Sequence, residues 1–394
     1  MRKIPANTIK RDIVINEEHK QFHSAKHHQR QFSSRRVDKL QAVLTVFSRC
    51  MVVVLFVSGV IESRAQDIHF SLYEEAGPII NPGLTGAFNG NFRATTNARN
   101  QWTSLGTPYR TFAAAFDKRV KLKSNSSLGV GLHAFRDVAG STGLSTTDVA
   151  VNLAGLVNLN KQQSISVGLS GGILQKSIDP GTFRWPDQYQ GGAFNAGNAT
   201  EEVMVAESAM KFNLSTGVSW QYHSKSKSMV SNDQFRAAAG LAYHHVNQPQ
   251  ISFLENSDQS INPKWIFHSN IFIGIKSTNL AILPSTFVAL QGPAQEIVTG
   301  SMLRMLLQPE SKYTKLHKEM ACSMGLFYRV GDALIPTLLL ELSNFRIGAA
   351  YDITVSPLGM ANAGRGGIEF SLSYVTPNPF ATPPKKKTKR SSLL

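Results

Sequence analysis

The residues that could do chemistry in this chain lack the spacing that a catalytic or metal site requires. Serine, histidine and aspartate are scattered, and no pattern predicts a nucleophile with its base. There is no Walker phosphate loop and no helix-borne histidine pair. His244 and His245 are adjacent, but neighbouring residues of a strand point to opposite faces, so one strand cannot offer both to one metal ion. We therefore predict no enzyme, no cofactor and no metal site.

The segment around Asn81 has the residues of a fixed turn. Asn81-Pro82 is followed by Thr85 and Gly86. Proline restricts φ and glycine admits left-handed backbone geometry. Two roles stay open for this segment: a structural turn or plug, and a loop on which a partner docks.

A second polar group is predicted on a strand that runs through residues 99–102. Arg99 and Gln101 would share one face of this strand, while Asn100 and Trp102 would share the other. This arrangement favours a hydrogen-bond network inside a β-structure over a recognition site.

The elements that would position these groups begin with a candidate signal peptide. An apolar run of 11 residues, 51–61, follows several basic residues and precedes Ser63–Ala65. This order is typical of a secretory signal, with the cut predicted between Ala65 and Gln66. The alternative is a transmembrane anchor, which would place Arg49 near the middle of the membrane at a cost of about 3 kcal/mol. We expect the signal peptide.

Charge is concentrated at the two ends of the chain. The sequence has 41 Lys+Arg and 26 Asp+Glu, a net charge of +15. Residues 1–50 hold 11 basic and four acidic side chains, and residues 385–390 add five basic ones. The stretch between is close to neutral, so no nucleic-acid-binding surface is expected. Two cysteines exclude a disulfide scaffold.

After residue 66 the sequence alternates between apolar and polar residues in runs of about ten, which predicts strands. Within residues 345–355, Tyr351 falls on the apolar face and Asp352 on the polar face, where we expect Asp352 to form an ion pair with a partner that stays open. No apolar run approaches the length of a transmembrane helix. The other runs lie near residues 92–102, 111–121, 126–135, 147–159, 164–170, 210–222, 235–246, 265–276, 280–290, 296–307, 318–328, 333–342 and 368–374.

The composition of the polar face favours a membrane barrel over a periplasmic sandwich. Ser, Gly, Asn and Thr outnumber Lys and Glu at these positions, whereas a solvated sheet face carries more charge. We predict an all-β fold, a transmembrane antiparallel β-barrel of roughly 14 strands preceded by a signal peptide. Aromatic residues at the strand ends are typical of an interfacial girdle: Trp102, Tyr109, Trp220, Tyr222, Tyr243, Trp265 and Tyr328.

The predicted organisation has four parts. Residues 1–65 form an N-terminal extension and signal peptide, 66–91 a loop or plug-like segment, 92–376 the barrel, and 377–394 a solvated basic tail. Residues 179–202 are rich in Gly, Pro and Asn and are predicted to form a functional or flexible surface loop. Within the barrel we expect one of His244 and His245 in the lumen and the other at the interface.

An ordered set of motifs resembles the PorP/SprF family of outer-membrane proteins in the type IX secretion system, the export and gliding machinery of Bacteroidetes. The resemblance covers about residues 66–375. The motifs that carry it are residues 66–71 (QDIHFS), 81–86 (NPGLTG), 99–102 (RNQW), 106–109 (GTPY), 291–293 (QGP), 328–329 (YR), 332–333 (DA), 351–356 (YDITVS) and 364–367 (GRGG).

The resemblance implies a non-enzymatic barrel of the outer membrane that supports export or surface attachment of specific cargo. The implied partners are the periplasmic ring of the apparatus, a peptidoglycan-attached component, a secreted cargo protein such as a gliding adhesin, and outer-membrane lipid. Besides the turn and strand residues above, the matched motifs add Gly364, Gly366 and Gly367 as candidate structural or partner residues. Two other functions stay open: a porin-like channel for small solutes and a periplasmic binding protein.

Overall fold

The computed structural model describes residues 67–376 apart from 105, 123–124, 142, 180–182, 199–206, 225–233, 254–259 and 310–318. The predicted signal peptide, its cleavage site at Ala65 and Gln66, and the basic tail lie outside the described residues. Within the described part, no helix combines the length and the apolar character needed to cross a bilayer.

Fourteen antiparallel strands close into a barrel, because the first strand pairs with the last. Consecutive strands are neighbours except where a two-stranded hairpin, β6–β7, is inserted between β5 and β8. The strands are β1 (Phe92–Gln101), β2 (Tyr109–Lys121), β3 (Ser126–Ala139), β4 (Leu144–Asn158), β5 (Gln163–Ser177), β6 (Tyr189–Gln190), β7 (Ala193–Phe194), β8 (Ser208–His223), β9 (Phe235–His244), β10 (Lys264–Gly274), β11 (Leu280–Gln291), β12 (Ala294–Gln308), β13 (Met320–Arg329), β14 (Ala333–Leu342), β15 (Phe345–Thr354) and β16 (Arg365–Val375).

The alternation of apolar and polar residues in the sequence gives the barrel wall an apolar outer surface and a polar inner surface. Outward positions carry large apolar side chains, such as Leu169 and Met324, which are each 64% exposed. Inward positions carry small polar residues, such as Ser166, Asn152 and Ser323, which are buried. An outer face in contact with lipid and a polar interior require this division. The predicted all-β barrel and its strand number are therefore confirmed.

The two ends of the barrel differ in the length of their connections. One end, which we call the terminal end, holds the first residues of β1 and the last residues of β16; its longest connections, 224–234 and 309–319, have 11 residues each. The opposite end, which we call the loop end, carries the long connections 178–207 and 245–263. In outer-membrane barrels the short turns face the periplasm and the longer loops face the exterior.

Aromatic side chains mark both ends of the wall. At the loop end Trp102 packs on Tyr109, with ring centroids 4.8 Å apart. At the terminal end the corresponding pair is Trp220 and Tyr222, at 6.3 Å. Such belts anchor a barrel at the two membrane–water interfaces.

A closed barrel of this kind is expected to migrate on a denaturing gel faster before boiling than after it. Closure leaves no free sheet edge in the barrel, so the folded form should survive mild detergent without heat. Gel mobility of the membrane fraction before and after boiling measures this. A protein that is soluble in the periplasm and shows one mobility would contradict the barrel.

Candidate functional site: the lumen plug

Residues 67–91, which we call the plug, lie inside the barrel and run the length of its lumen. At the loop end the amide of Asp67 donates to Oε1 of Gln291 at 3.0 Å. Towards the terminal end the amide of Gly86 donates to Oδ2 of Asp117 at 2.7 Å, a few residues before β1 begins. The plug contacts inward residues of strands from several sides of the barrel.

Local sequence explains how the plug folds. Pro78 lies in the first turn of a short helix, Gly77–Ile80, where a missing amide proton costs nothing. Asn81 then adopts an extended backbone, and its side chain accepts from the amide of Gly83 at 2.7 Å, which caps the turn Pro82–Leu84.

Apolar side chains of the plug form the hydrophobic core of the molecule together with the wall. Phe70, Tyr73 and Ile80 are buried against inward residues, and the Tyr73 ring lies 4.9 Å from that of Phe287. The polar interior of the barrel is thus interrupted by an apolar region, which the plug covers. Burial of this surface stabilises the plug in place.

Near the loop end, five side chains form a buried charge cluster that we call the clamp: Ser71, Arg99, Arg329, Asp352 and Glu369. Asp352 accepts from Nη2 of Arg99 at 2.6 Å and from Nη1 of Arg329 at 2.8 Å. The Ser71 hydroxyl donates to Asp352 at 2.7 Å and accepts from both arginines. The plug is therefore bonded to three different strands, β1, β13 and β15, through one hydroxyl.

Glu369 completes the clamp from β16. Its Oε2 accepts from the amide of Ser71 at 2.7 Å and from Nη1 of Arg99 at 3.0 Å. Oε1 of Glu296 accepts a hydrogen bond from Nε of Arg329 at 2.9 Å and adds a second negative charge beside this arginine. These charged groups are almost fully withdrawn from water, so each depends on its partners for compensation of its lost hydration.

A histidine of the plug extends the clamp. Burial and the positive charges of Arg99 and Arg329 lower the pKa of His69 well below its ordinary value. The neutral ring can therefore accept hydrogen bonds, and its Nε2 lies 3.2 Å from Nη2 of Arg99 and 3.3 Å from Nε2 of Gln101.

Midway along the lumen, Asn81 is the main polar contact of the plug. Its side chain is fully buried. Its Nδ2 donates to the carbonyl of Val218 at 3.0 Å and lies 3.0 Å from Nε2 of His268. With Oδ1 bonded to Gly83, both ends of the amide are occupied, as burial of such a group requires.

The barrel wall lacks side chains where the plug lies closest to it. A Cβ placed at Gly217 would overlap the Asn81 amide, and one at Gly168 would overlap the backbone of Pro82. A Cβ at Gly129 would overlap the carbonyl of Thr85. Side-chain-free positions in β3, β5 and β8 thus let two backbones meet.

The terminal end of the plug is held by a second ion pair. Asp117, which is buried, accepts from Nε of Arg93 at 2.9 Å. Arg93 also donates to the carbonyl of Leu84 at 3.1 Å, and Arg119 donates to that of Gly86 at 2.6 Å. The plug is therefore fixed at both ends and in the middle.

A chain of polar groups lines a small cavity beside the start of the plug. Asp67 lies 2.6 Å from Nε2 of His245, whose Nδ1 is 2.9 Å from Asn213, which in turn donates to Asp148 at 2.9 Å. Burial alone would raise the pKa of the Asp67 carboxyl. The hydrogen bond with His245 and the electrostatic interaction with the same ring outweigh burial and lower this pKa below its ordinary value, so Asp67 is ionised near neutral pH. The cavity measures about 50 Å³, room for a water molecule or two.

The prediction that His244 and His245 divide between lumen and interface is wrong. His244 faces the lumen, where its Nε2 lies 3.0 Å from the carbonyl of Ile80. His245 also points inward, to Asp67. The strand ends at His244, and His245 has φ of +56°, so the alternation of the strand no longer applies to it.

The candidate residues of the sequence divide between lumen, outer wall and loop. Those brought together in the lumen are Asn81, Pro82, Thr85, Gly86, Arg99, Gln101 and Asp352. Those on the outer wall or at its rim are Asn100, Trp102 and Tyr351; Trp102 is bonded through its amide to the carbonyl of Gly366 at 2.7 Å. Those at the loop-end turn before β16 and its first residues are Gly364, Gly366 and Gly367, and Gly364 has φ of +73°.

The candidate set omits several residues that complete the site: Ser71, Glu296, Arg329 and Glu369. A charged residue at an inward position of a predicted strand indicates such a site, because a buried charge requires an oppositely charged or hydrogen-bonding partner. Glu369 is such a residue, because it follows the outward Ile368 in β16.

The site offers structural bonding rather than reaction chemistry. Residues 168–172 (GLSGG) match the sequence spacing of a nucleophile elbow. They lie inside the continuous strand β5 and not at a turn into a helix, so the nucleophile geometry is missing there. No group of three or more His, Cys, Asp or Glu side chains among the described residues could hold a metal ion.

Comparison with solved structures finds other membrane barrels at low similarity. A FadL homologue of Pseudomonas aeruginosa matches with a TM-score of 0.43 at 10% identity, covering 77% of this chain and 94% of that one. The toluene transporter TbuX of Ralstonia pickettii gives 0.41 at 9% identity, covering 77% and 93%. The sequence has no match among curated proteins.

The closed wall, apolar outer belt and occupied lumen define a plugged β-barrel of the outer-membrane type. A family model identifies it further. Residues 62–374 match the type IX secretion system membrane protein PorP/SprF, and the chain belongs to this family. The resemblance seen in the sequence is thereby confirmed.

Replacing Asp352 by Asn should loosen the clamp. Two buried arginines would lose their shared charge partner, at a cost of about 3–5 kcal/mol. We expect a lower temperature for loss of the fast-migrating folded form and easier proteolysis of the plug. The matched control is Asp332→Asn, because Asp332 also pairs with Arg329, at 3.1 Å, but is 40% exposed. Equal behaviour of the two variants would argue against the clamp.

Replacing Gly217 by Ala should displace the plug, because the added methyl group would overlap the Asn81 amide. The control is Gly155→Ala on β4, where an added Cβ meets nothing within 4 Å. We expect a cysteine introduced at Thr85, a fully buried plug residue that leaves Asn81 intact, to be labelled faster by a small thiol reagent in the Gly217 variant only. Identical labelling rates in both backgrounds would contradict this packing.

Proposed function

We propose that this barrel is a closed, non-catalytic component of the type IX secretion system that supports export or surface attachment of specific cargo through protein–protein contacts. The observation that carries the proposal is a plug bonded to the wall at three levels, in a member of a secretion-system membrane family. A lumen occupied in this way suits a fixed scaffold that presents its two ends to different partners.

The two ends fit different partners. The loop end, with the long connections 178–207 and 245–263, would meet the cargo or its adhesin domain outside the cell. The terminal end would meet the periplasmic ring of the apparatus and its peptidoglycan-attached component. The wall between them would meet outer-membrane lipid.

The alternative is a porin-like channel for small solutes. The plug argues against it, because its apolar side chains and its clamp would have to leave their bonds before a solute could pass. Solute-selective conductance of the purified protein in planar bilayers, together with normal secretion in a strain that lacks the gene, would favour the channel.

Deleting the gene should remove a specific cargo, or gliding adhesin, from the cell surface and leave it inside the cell. Complementation with the wild-type gene should restore display. Normal surface display of every type IX cargo in the deletion strain would contradict the proposal.

Photo-crosslinking locates the contact independently of the deletion. A crosslinking residue at Tyr189, exposed in the β6–β7 hairpin of the loop end, should capture the displaced cargo. The same residue at Leu169, on the lipid-facing wall, is the matched control and should capture no cargo. Cargo capture at Leu169 but not at Tyr189 would overturn the assignment of the loop end.

A further inference from the structure

A furrow runs along the outer wall over β1. The outward positions of this strand carry small side chains, whereas its neighbours β2 and β16 carry rings. In the register of the sheet, Ala98 lies between Phe112 and Phe370, and Ala94 lies between Phe116 and Tyr374. The pattern therefore gives a channel aligned with the strands, with Thr96 between the two alanines of its floor and with Ala114 and Leu372 between the rings of its sides.

The furrow has one closed end and one open end. At the terminal end the ring of Phe92 lies 5.6 Å from Phe116 and 6.0 Å from Tyr374, which closes it. Towards the loop end it widens into a groove of about 450 Å³. Ala98, Phe112, Phe370 and Ile368 line this groove.

Two arginines stand at the loop end of the same groove. Arg110 and Arg136 occupy outward positions of β2 and β3 and line the groove together. Arg136 lies opposite Phe112, so the two arginines are one diagonal step apart on one face of the sheet. No carboxylate of the described residues lies within ion-pair distance of either guanidinium.

Together with Lys118 at the terminal end of β2, this pair departs from the rule that β4 to β15 follow. From β4 to β15, the lysines and arginines of the described strands fall at inward positions, as Arg304, Arg329 and Arg346 do. Cations on a lipid-facing wall are unfavourable unless they lie near the interface and meet an anion. The pair sits at the level of the loop-end aromatic belt, next to Tyr109, where anionic headgroups would lie.

We infer that the furrow and its two arginines bind a phosphorylated glycolipid of the outer leaflet. The guanidiniums of Arg110 and Arg136 receive the phosphate, for which planar, bidentate donors are suited. An acyl chain lies along the furrow over Ala98, between the rings of Phe112 and Phe370. Charge and shape both favour this occupant: a basic pair with no carboxylate partner among the described residues lies at the loop end of a largely apolar channel.

Native mass spectrometry of the detergent-solubilised full chain tests the site, with purified lipid A as the probe. We expect one retained lipid adduct on the wild-type protein and an occupancy about tenfold lower on the double variant Arg110→Ala/Arg136→Ala. Ala98→Phe fills the furrow without touching the arginines and should give the same loss. Lys118→Ala, an outward cation at the terminal end of β2, is the matched control and should retain the adduct. Gel mobility before boiling shows that each variant is folded.

Three results would overturn the inference. The first is an adduct that survives both the double arginine variant and Ala98→Phe. The second is equal retention of a bilayer phospholipid such as phosphatidylglycerol, which would remove the assignment to the glycolipid. The third is a dimer, lost in Ala98→Phe, with no lipid adduct on the wild type, which would assign the furrow to a second copy of the chain. Retention of dephosphorylated lipid A about tenfold below that of lipid A would support the role of the phosphate.

Discussion

The structure depends on the compensation of charge inside the barrel. Arg99 and Arg329 project from opposite sides of the β1–β16 seam into a space that water hardly reaches, and Asp352 lies between them. Buried ions of this kind are tolerated only when every one has partners in good geometry. The Ser71 hydroxyl and amide add contacts from the plug to this group, so the wall and the plug compensate each other's buried polar atoms.

The same dependence explains the features that surround the clamp. A segment that must lie against the wall needs space, which the glycines of β3, β5 and β8 provide at the cost of weaker strands. The apolar side chains of the plug then cover wall residues such as Phe287 and Ile335, which a water-filled lumen would leave exposed. Polar, apolar and steric constraints thus all favour one position of the plug, which is the physical basis for considering the protein as a scaffold.

The sequence allowed the wall to be predicted well and the interior only in part. Alternation has period two whatever the partner, so strands such as β15 and β16 and their outward and inward faces could be read directly. Asp352 could be recognised as half of an ion pair, but its partners could not be named. Arg99 lies 253 residues away on β1 and becomes a neighbour through closure, and Arg329 lies 23 residues away on β13, across the intervening strand β14. His245 shows another limit: one residue of left-handed backbone reversed the face that alternation assigned.

The distribution of the clamp along the chain has a consequence for biogenesis. Ser71 is bonded to Asp352 and Glu369, which follow it by 281 and 298 residues and belong to the last two strands. Contacts of such long sequence separation form late, after most of the loop-closure entropy has been lost. The polar end of the plug can therefore form its final hydrogen bonds only when β15 and β16 are in place. Pairing of β16 with β1 then closes the barrel around the plug. We therefore expect membrane insertion and enclosure of the plug to be coupled, and a chain truncated before its last hairpin would leave Arg99 without Asp352 and Glu369 and Arg329 without Asp352.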